Sequence, residues 1–168
     1  MKFRRSVFER ATPTEVWDGI QEATYAEVPD LTQPPPDETV RTVLLISGLL
    51  NQAENGGIIQ FIDNWDGCNF HETRDAASRI ACPDLVGFLD RVATLYPDHQ
   101  VPKNWELRRE LWDRMCEERH LAGEDRHLSE QEWDDLWVGF NHELYALVSG
   151  IKQKAGEYVR SRAEFVEG

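Results

Sequence analysis

The chain has few cysteines, and no two of them form a C-x-x-C pair. Only Cys68, Cys82 and Cys116 occur among 168 residues, an odd number at wide spacings. A disulfide framework needs paired cysteines and a thioredoxin-like centre needs the C-x-x-C arrangement, so the pattern argues against both. The sequence therefore predicts three reduced thiols in the protein core.

Long apolar segments are also missing. The longest apolar run, at 43–46, is followed at once by Ser47 and Gly48, whereas a helix that spans a bilayer needs about 20 apolar residues. The first ten residues are basic and contain neither the apolar stretch nor the small-residue cleavage site of a secretion signal. We therefore expect no membrane span and a cytoplasmic protein.

Basic residues are scarce relative to acids. The chain has 18 Lys and Arg residues against 31 Asp and Glu residues, a net charge of −13. Eight of the bases lie near the two ends, so residues 11–150 contain 27 acids and 10 bases, a net −17. A field of this sign repels nucleic acid and attracts basic proteins in a salt-dependent way. We therefore expect that the protein does not bind nucleic acid directly and that its partner is a basic protein.

Helix signals, by contrast, are frequent, and no segment alternates like a β-strand. Capping boxes begin at Thr12 and Ser129, and Asp37, Asn69 and Asn104 stand where a helix N-cap is expected. Apolar residues at helical spacing follow each of them. We predict an all-α fold, a single compact domain of about seven to nine helices. Its parts are a basic N-terminal arm (1–12), a proline-rich connector (29–36) and a helical core (37–160).

Glycines mark two further boundaries in this helical sequence. Asn55 and Gly56 are expected to adopt the positive-φ conformation that ends a helix, and Gly57 to leave bare amides that start the next one. A sharp corner between two helices would follow. At Gly150 we expect another helix to end and a last, more basic helix to begin.

The corner at Gly56 and Gly57 belongs to a longer motif. The part of the chain that shares the same family pattern extends from about Thr39 to Val159. This pattern resembles a bacterial family long catalogued as a domain of unknown function, which takes its name from a member described as a DNA mimic. The resemblance implies a small acidic helical domain without catalytic residues. We interpret the motif residues as structural. They are Asn55, Gly56, Gly57, Gln60, Phe61, Asn64 and Gly67.

The densest run of acids spans the end of one predicted helix and the start of the next. Carboxylates three or four residues apart on a helix lie about 5–6 Å apart, and duplex DNA presents one charge per about 1.7 Å of axis. A folded array of such groups can approximate a row of phosphates. Charge alone favours a solvated surface, and the resemblance is what supports the alternative of a partner-binding patch. Its residues are Glu117, Glu118, Glu124, Asp125, Glu130, Glu132, Asp134 and Asp135.

Metal sites were considered as an alternative. Cys68-x-x-His71 and Cys116-x-x-x-His120 have spacings that permit a zinc tetrahedron but are not diagnostic of one. A calcium loop around Gly67 is rejected because its first position would be an isoleucine, which has no side-chain oxygen. We expect no metal and no cofactor.

Catalytic motifs are missing as well. The sequence contains no nucleophile elbow, P-loop or HExxH. His142 and Glu143 are neighbours on a predicted helix and therefore do not face each other. We expect that the protein is not an enzyme.

We therefore predict an interaction protein whose acidic surface occupies the DNA-binding face of a basic partner, such as a helix-turn-helix transcription regulator. The alternative is an immunity-type or other inhibitor that uses the same surface against a toxin or an enzyme. The resemblance also implies a homodimer, since pairing would extend the acidic surface toward the length of an operator site.

Overall fold

The structure is a computed structural model that describes residues 3–4, 9, 12–27, 37–119, 127–162 and 166–167. Its helices are α1 (Pro13–Glu27), α2 (Glu38–Asp63), α3 (Phe70–Arg79), α4 (Pro83–Ala93), α5 (Trp105–Glu118) and α6 (Glu130–Arg160). Two short 3-10 helices occupy Trp65–Asn69 and Pro97–His99. Strands β1 (Phe3–Arg4) and β2 (Val166–Glu167) form a short parallel pair. The all-α prediction is confirmed.

The described ranges contain six α-helices, fewer than the predicted seven to nine, because no helix ends at Gly150 and the two helical segments that meet at the glycine corner are counted together as α2. The two segments of α2 meet at a kink at Gly57. α6 runs without interruption through Gly150 to Arg160, so the expected last helix is the end of α6. An exposed glycine costs a helix only about 1 kcal/mol relative to alanine. Burial of Leu144 and Ile151 on either side outweighs that cost.

Most helix starts follow the sequence signals. Thr12 and Ser129 form capping boxes with Glu15 and Glu132, and Asp37 and Asn104 accept hydrogen bonds from backbone amides at 2.9 and 2.7 Å. Asn69 is the N-cap residue of α3, as predicted, but its side chain makes no capping hydrogen bond. Asn69 belongs to the preceding 3-10 helix, so its backbone lacks the extended conformation in which a side chain caps.

The core lies along α6, which packs against α1, α2 and α4. Ile151, Ala155 and Val159 of α6 are fully buried there. Where α1 crosses this helix, a Cβ on Gly156 would lie 1.9 Å from the carbonyl oxygen of Pro13, so the two backbones touch. No helix in the described ranges combines the length and apolar character needed to cross a bilayer. The connector 29–36 and most of the arm 1–12 lie outside those ranges.

Candidate functional site

The glycine corner is centred on Gly57, one residue later than predicted. Gly57 has φ 77° and ψ −159°, a conformation that is essentially restricted to glycine, and it is the one described glycine with positive φ. The expectation that Asn55 and Gly56 take positive φ is wrong. Both remain helical, and the Asn55 side chain donates to the carbonyl of Asn51. The kink therefore depends on a single glycine.

A side chain from α6 enters this kink. The backbone N–H of Ile58 donates to Asn141 Oδ1 at 2.9 Å. A Cβ on Gly57 would lie 2.1 Å from the same oxygen, so only glycine leaves room for Asn141 to reach the amide. The corner thus joins α2 to α6 across 83 positions of sequence.

Polar side chains then fix the end of α2. Asn64 donates to Gln52 Oε1 at 2.7 Å, and Gln52 donates to Asp66 Oδ2 at 2.7 Å. These bonds link Gln52, which lies before the kink in α2, to the C-cap residue of α2 and to the following 3-10 helix. Gln52 and Asp66 were not singled out from the sequence, because a polar pair 14 residues apart gives no local signal.

The other motif residues pack around this segment. Phe61 is fully buried, with its ring centroid 6.2 Å from that of Phe70. Gln60 is exposed and lies against Gly56, where an added Cβ would be 2.7 Å from its Oε1. Gly67 is buried with its Cα close to the Ile62 carbonyl, which a Cβ would approach to 2.4 Å. Five of the seven motif residues therefore pack or hydrogen-bond within the protein.

Arg108 ties α5 to the same segment. Its side chain is only 1% exposed, and it donates to the carbonyls of Ile62 at 2.6 Å, Asn64 at 2.9 Å and Pro102 at 2.7 Å. Burial lowers the pKa of its guanidinium. Charged hydrogen bonds to three carbonyls compensate for removing this cation from water. Arg108 was not identified from the sequence. Trp112 and Met115 follow it by four and seven residues, which places all three on the side of α5 that faces the core.

A cluster of tryptophans packs α5 against the first half of α6. Trp112 of α5 lies with its ring centroid 6.3 Å from that of Trp133 and 4.6 Å from that of Trp137. A backbone hydrogen bond joins the end of α5 to the start of α6, where the Leu128 amide donates to the Arg119 carbonyl at 2.8 Å. The end of α5 therefore lies beside the start of α6.

This packing brings together four of the predicted acids. Glu117 and Glu118 end α5, Glu130 and Glu132 begin α6, and all four are exposed. His127 lies between the two pairs, with Nδ1 2.6 Å from the Glu118 carbonyl oxygen. Glu124 and Asp125 lie outside the described residues.

The remaining two predicted acids lie one turn further along α6. Asp134 and Asp135 are exposed, and Asp135 lies on the opposite side of the helix from the buried Trp133 and Trp137. Asp135 accepts a hydrogen bond from Gln131 at 2.8 Å. Within the described part of the chain, no ion pair or side-chain hydrogen bond engages Glu117, Glu118, Glu130 or Asp134.

The structure adds a row of carboxylates on α5 that the sequence analysis did not assign to the surface. Glu106, Glu110, Asp113 and Glu117 are spaced four, three and four residues apart, so they share one face of the helix. Arg114 pairs with Glu110 at 3.0 Å, and the Arg109–Asp113 pair is looser at 3.9 Å.

Charge is separated along the length of α6. Its first half contains Glu130, Glu132, Asp134, Asp135 and Glu143 and no base, whereas residues 151–162 contain four bases and one acid. Lys152 at this far end pairs with Glu54 at 3.1 Å. The acidic surface therefore occupies one end of the helix only.

The residues considered for zinc do not assemble into a site in the described part of the chain. No group of three or more His, Cys, Asp and Glu side chains there is placed to hold a metal. His71 Nε2 instead accepts the Val101 amide at 3.2 Å, and His120 lies outside the described residues. Burial raises the pKa of the Cys116 thiol to about 11 and also raises that of Cys82. Both thiols are therefore protonated at neutral pH.

Comparison with known families gives one match. The sequence pattern of a family described as DMP19-like protein covers residues 35–162 of the 168. The chain belongs to the DMP19-like family. No curated protein and no solved structure matches the chain.

The DMP19-like region contains α2 to α6 and excludes α1. Both the glycine motif and every residue of the predicted acidic patch fall inside it. The kink at Gly57, the buried Arg108 and the acidic ends of α5 and α6 are therefore parts of one DMP19-like unit. The resemblance noted in the sequence, to the family that is named after a DNA mimic, is to this family.

Proposed function

We propose that this protein is a DNA mimic whose acidic helices occupy the DNA-binding surface of a basic regulator, such as a helix-turn-helix transcription factor. Occupying that surface would release the regulator from its operator without any chemistry. The observation that carries the proposal is that the end of α5 and the start of α6, which both carry exposed carboxylates, lie side by side in a DMP19-like domain. The proposed role requires no catalytic group and no cofactor.

The α5 row supplies only part of a phosphate-like surface, because Glu110 and Asp113 pair with Arg114 and Arg109. At a rise of 1.5 Å per residue, Glu106 to Glu117 extends over about 16 Å. Four carboxylates over that length are sparser than one strand of DNA, which carries a phosphate about every 3.4 Å. The acids at the start of α6 lie beside the end of this row and raise the local density. Together, the α5 row and the acids of α6 present negative charge over a length that a DNA-recognition helix of the partner would contact.

The position of two of these acids is unfavourable for the helix itself. Glu117 and Glu118 lie in the last turn of α5, which contains no basic residue. Carboxylates at a helix C-terminus oppose the helix dipole and destabilise the helix by about 0.3–1 kcal/mol each. Local stability therefore does not explain these residues, and a site where local rules are broken is a candidate for function.

Competition for DNA tests the proposal directly. The purified partner, obtained by salt-sensitive capture from the source cell, is mixed with labelled operator DNA and increasing amounts of this protein. We expect the protein to displace the DNA, and rising salt to weaken its binding. Simultaneous binding of DNA and protein would end the mimic proposal. Capture of a nuclease or toxin instead would favour the inhibitor alternative.

Neutralising acids at the end of α5 and the start of α6 should slow association with the partner. The test variant combines Glu117→Gln, Glu118→Gln, Glu130→Gln and Asp134→Asn. The control removes the same charge from other exposed positions, through Glu38→Gln, Asp75→Asn, Asp84→Asn and Asp98→Asn. We expect an association rate constant about 10-fold lower for the test variant and at most about 3-fold lower for the control at low salt, because steering depends most on nearby charge. Equal effects would show that only net charge matters.

We also propose that the protein acts as a homodimer in the cytoplasm. The outer face of α6 supports pairing, since Val138 and Tyr145 are 51% and 47% exposed, and apolar side chains of this size gain free energy from burial. Pairing would place two acidic surfaces in one particle. We expect sedimentation at micromolar concentration to show about twice the monomer mass, and a single 19.4 kDa species would remove this part of the proposal.

A further inference from the structure

One short segment contacts both of the helices that carry the acids. The backbone amide of Ile58 donates to Asn141 of α6, and the carbonyls of Ile62 and Asn64 accept from Arg108 of α5. The motif segment between Gly57 and Asn64 is therefore held from two sides. Neither Asn141 nor Arg108 belongs to the acidic surface itself.

Asn141 has a role that only the folded chain reveals. The kink at Gly57 interrupts the regular helix, and the Ile58 amide then bonds to a side chain from another helix. Asn141 lies 6 to 11 residues after the acids Glu130 to Asp135, which is about 9–16 Å along the helix axis. A small rotation of α6 about this contact would therefore move those carboxylates.

We propose that Asn141 is a positioning residue for the acidic surface. Its bond to the Ile58 amide fixes the first half of α6 relative to the motif segment, while Arg108 fixes α5 to the same segment. The family motif thereby determines the distance between the carboxylates of the two helices. The positioning of α6 by Asn141 does not depend on the proposed function, and only its effect on partner binding rests on that function.

Binding kinetics separate positioning from charge. Asn141→Ala leaves the net charge unchanged, so we expect its association rate constant to stay within about 2-fold of the wild type and its dissociation rate constant to rise about 10-fold. A loss of folded protein alone would lower the fraction of active molecules without changing the dissociation rate constant. The matched control is Asn55→Ala, because Asn55 belongs to the motif but bonds only within α2. We expect wild-type kinetics from the control.

A second measurement does not depend on any partner. Spin labels introduced as unnatural amino acids at the exposed positions Arg114 and Gly139 report the distance between α5 and α6. The wild type and Asn55→Ala should give the same narrow distribution, and Asn141→Ala a shifted or broader one. If the wild type fails to compete with DNA, the proposed function is wrong, but the distance measurement still tests whether Asn141 positions α6.

The conservative variant Asn141→Asp completes the test, because it keeps an oxygen that can accept the Ile58 amide. We expect it to retain the wild-type distance distribution and dissociation rate constant. This expectation can be tested even if Asn141→Ala does not fold. An altered distribution in Asn141→Asp would contradict the inference. Unchanged dissociation and an unchanged distribution in Asn141→Ala would overturn it.

Discussion

Replacing Gly57 by alanine is expected to lower the free energy of unfolding by about 3–5 kcal/mol. Alanine strongly resists the φ of 77° and ψ of −159° found there, and this conformation costs a non-glycine residue about 1–3 kcal/mol. The new Cβ would also meet Asn141 Oδ1 at 2.1 Å. Displacing that side chain leaves the Ile58 amide without its acceptor, at a cost of about 1–3 kcal/mol.

Urea unfolding followed by circular dichroism measures this change, which corresponds to a fall of about 10 °C in the midpoint of thermal unfolding. The control is the same substitution at Gly150, an exposed helical glycine with no atom within 4 Å of an added Cβ. There alanine should stabilise the protein by about 0.5–1 kcal/mol. Similar effects at the two positions would contradict the strained corner described above.

Arg108→Met is expected to destabilise the protein by about 3–4 kcal/mol. Methionine fills much of the same volume but donates no hydrogen bond. The carbonyls of Ile62 and Asn64 would lose the donor that they share. Removing a buried cation from the folded state relieves part of this cost, because burial itself disfavours the charge.

The neighbouring arginine provides the control for this experiment. Arg109 is exposed on the same helix, and it stacks on Trp105 at 5.3 Å and lies 3.9 Å from Asp113. Exposed pairs of this kind contribute about 0–1 kcal/mol, so Arg109→Met should change the urea midpoint little. An Arg108→Met variant as stable as Arg109→Met would show that the buried hydrogen bonds do not hold α5 in place.

Local signals predicted the parts of the fold that local interactions determine. The caps at Asp37, Asn104 and Ser129 involve residues three positions apart, and all three were read correctly from the sequence. The boundary at Gly150 was not, because burial on both sides of that glycine depends on packing against other helices. The number of helices was therefore overestimated while the fold class was right.

The choice between two adjacent glycines shows where sequence reasoning ends. Gly56 and Gly57 have the same intrinsic freedom, and the preceding Asn55 favours a turn at either. Asn141, which lies 83 positions from the amide that it contacts, decides between them. The helical spacing from Arg108 to Trp112 and Met115 distinguishes Arg108 from Arg109, but the carbonyls that Arg108 contacts lie 44 and 46 positions away and give no local signal.

The separation of charge along α6 affects the encounter with a partner before contact is made. With carboxylates at one end of the helix and bases at the other, the side chains of α6 contribute an electric dipole moment along this axis. In the field of a basic protein, such a dipole experiences a torque that turns the acidic end toward the partner. With the proposed basic partner, fewer orientations would then have to be sampled by rotational diffusion, so the basic end of α6 would help to orient the encounter although it lies far from the acidic surface.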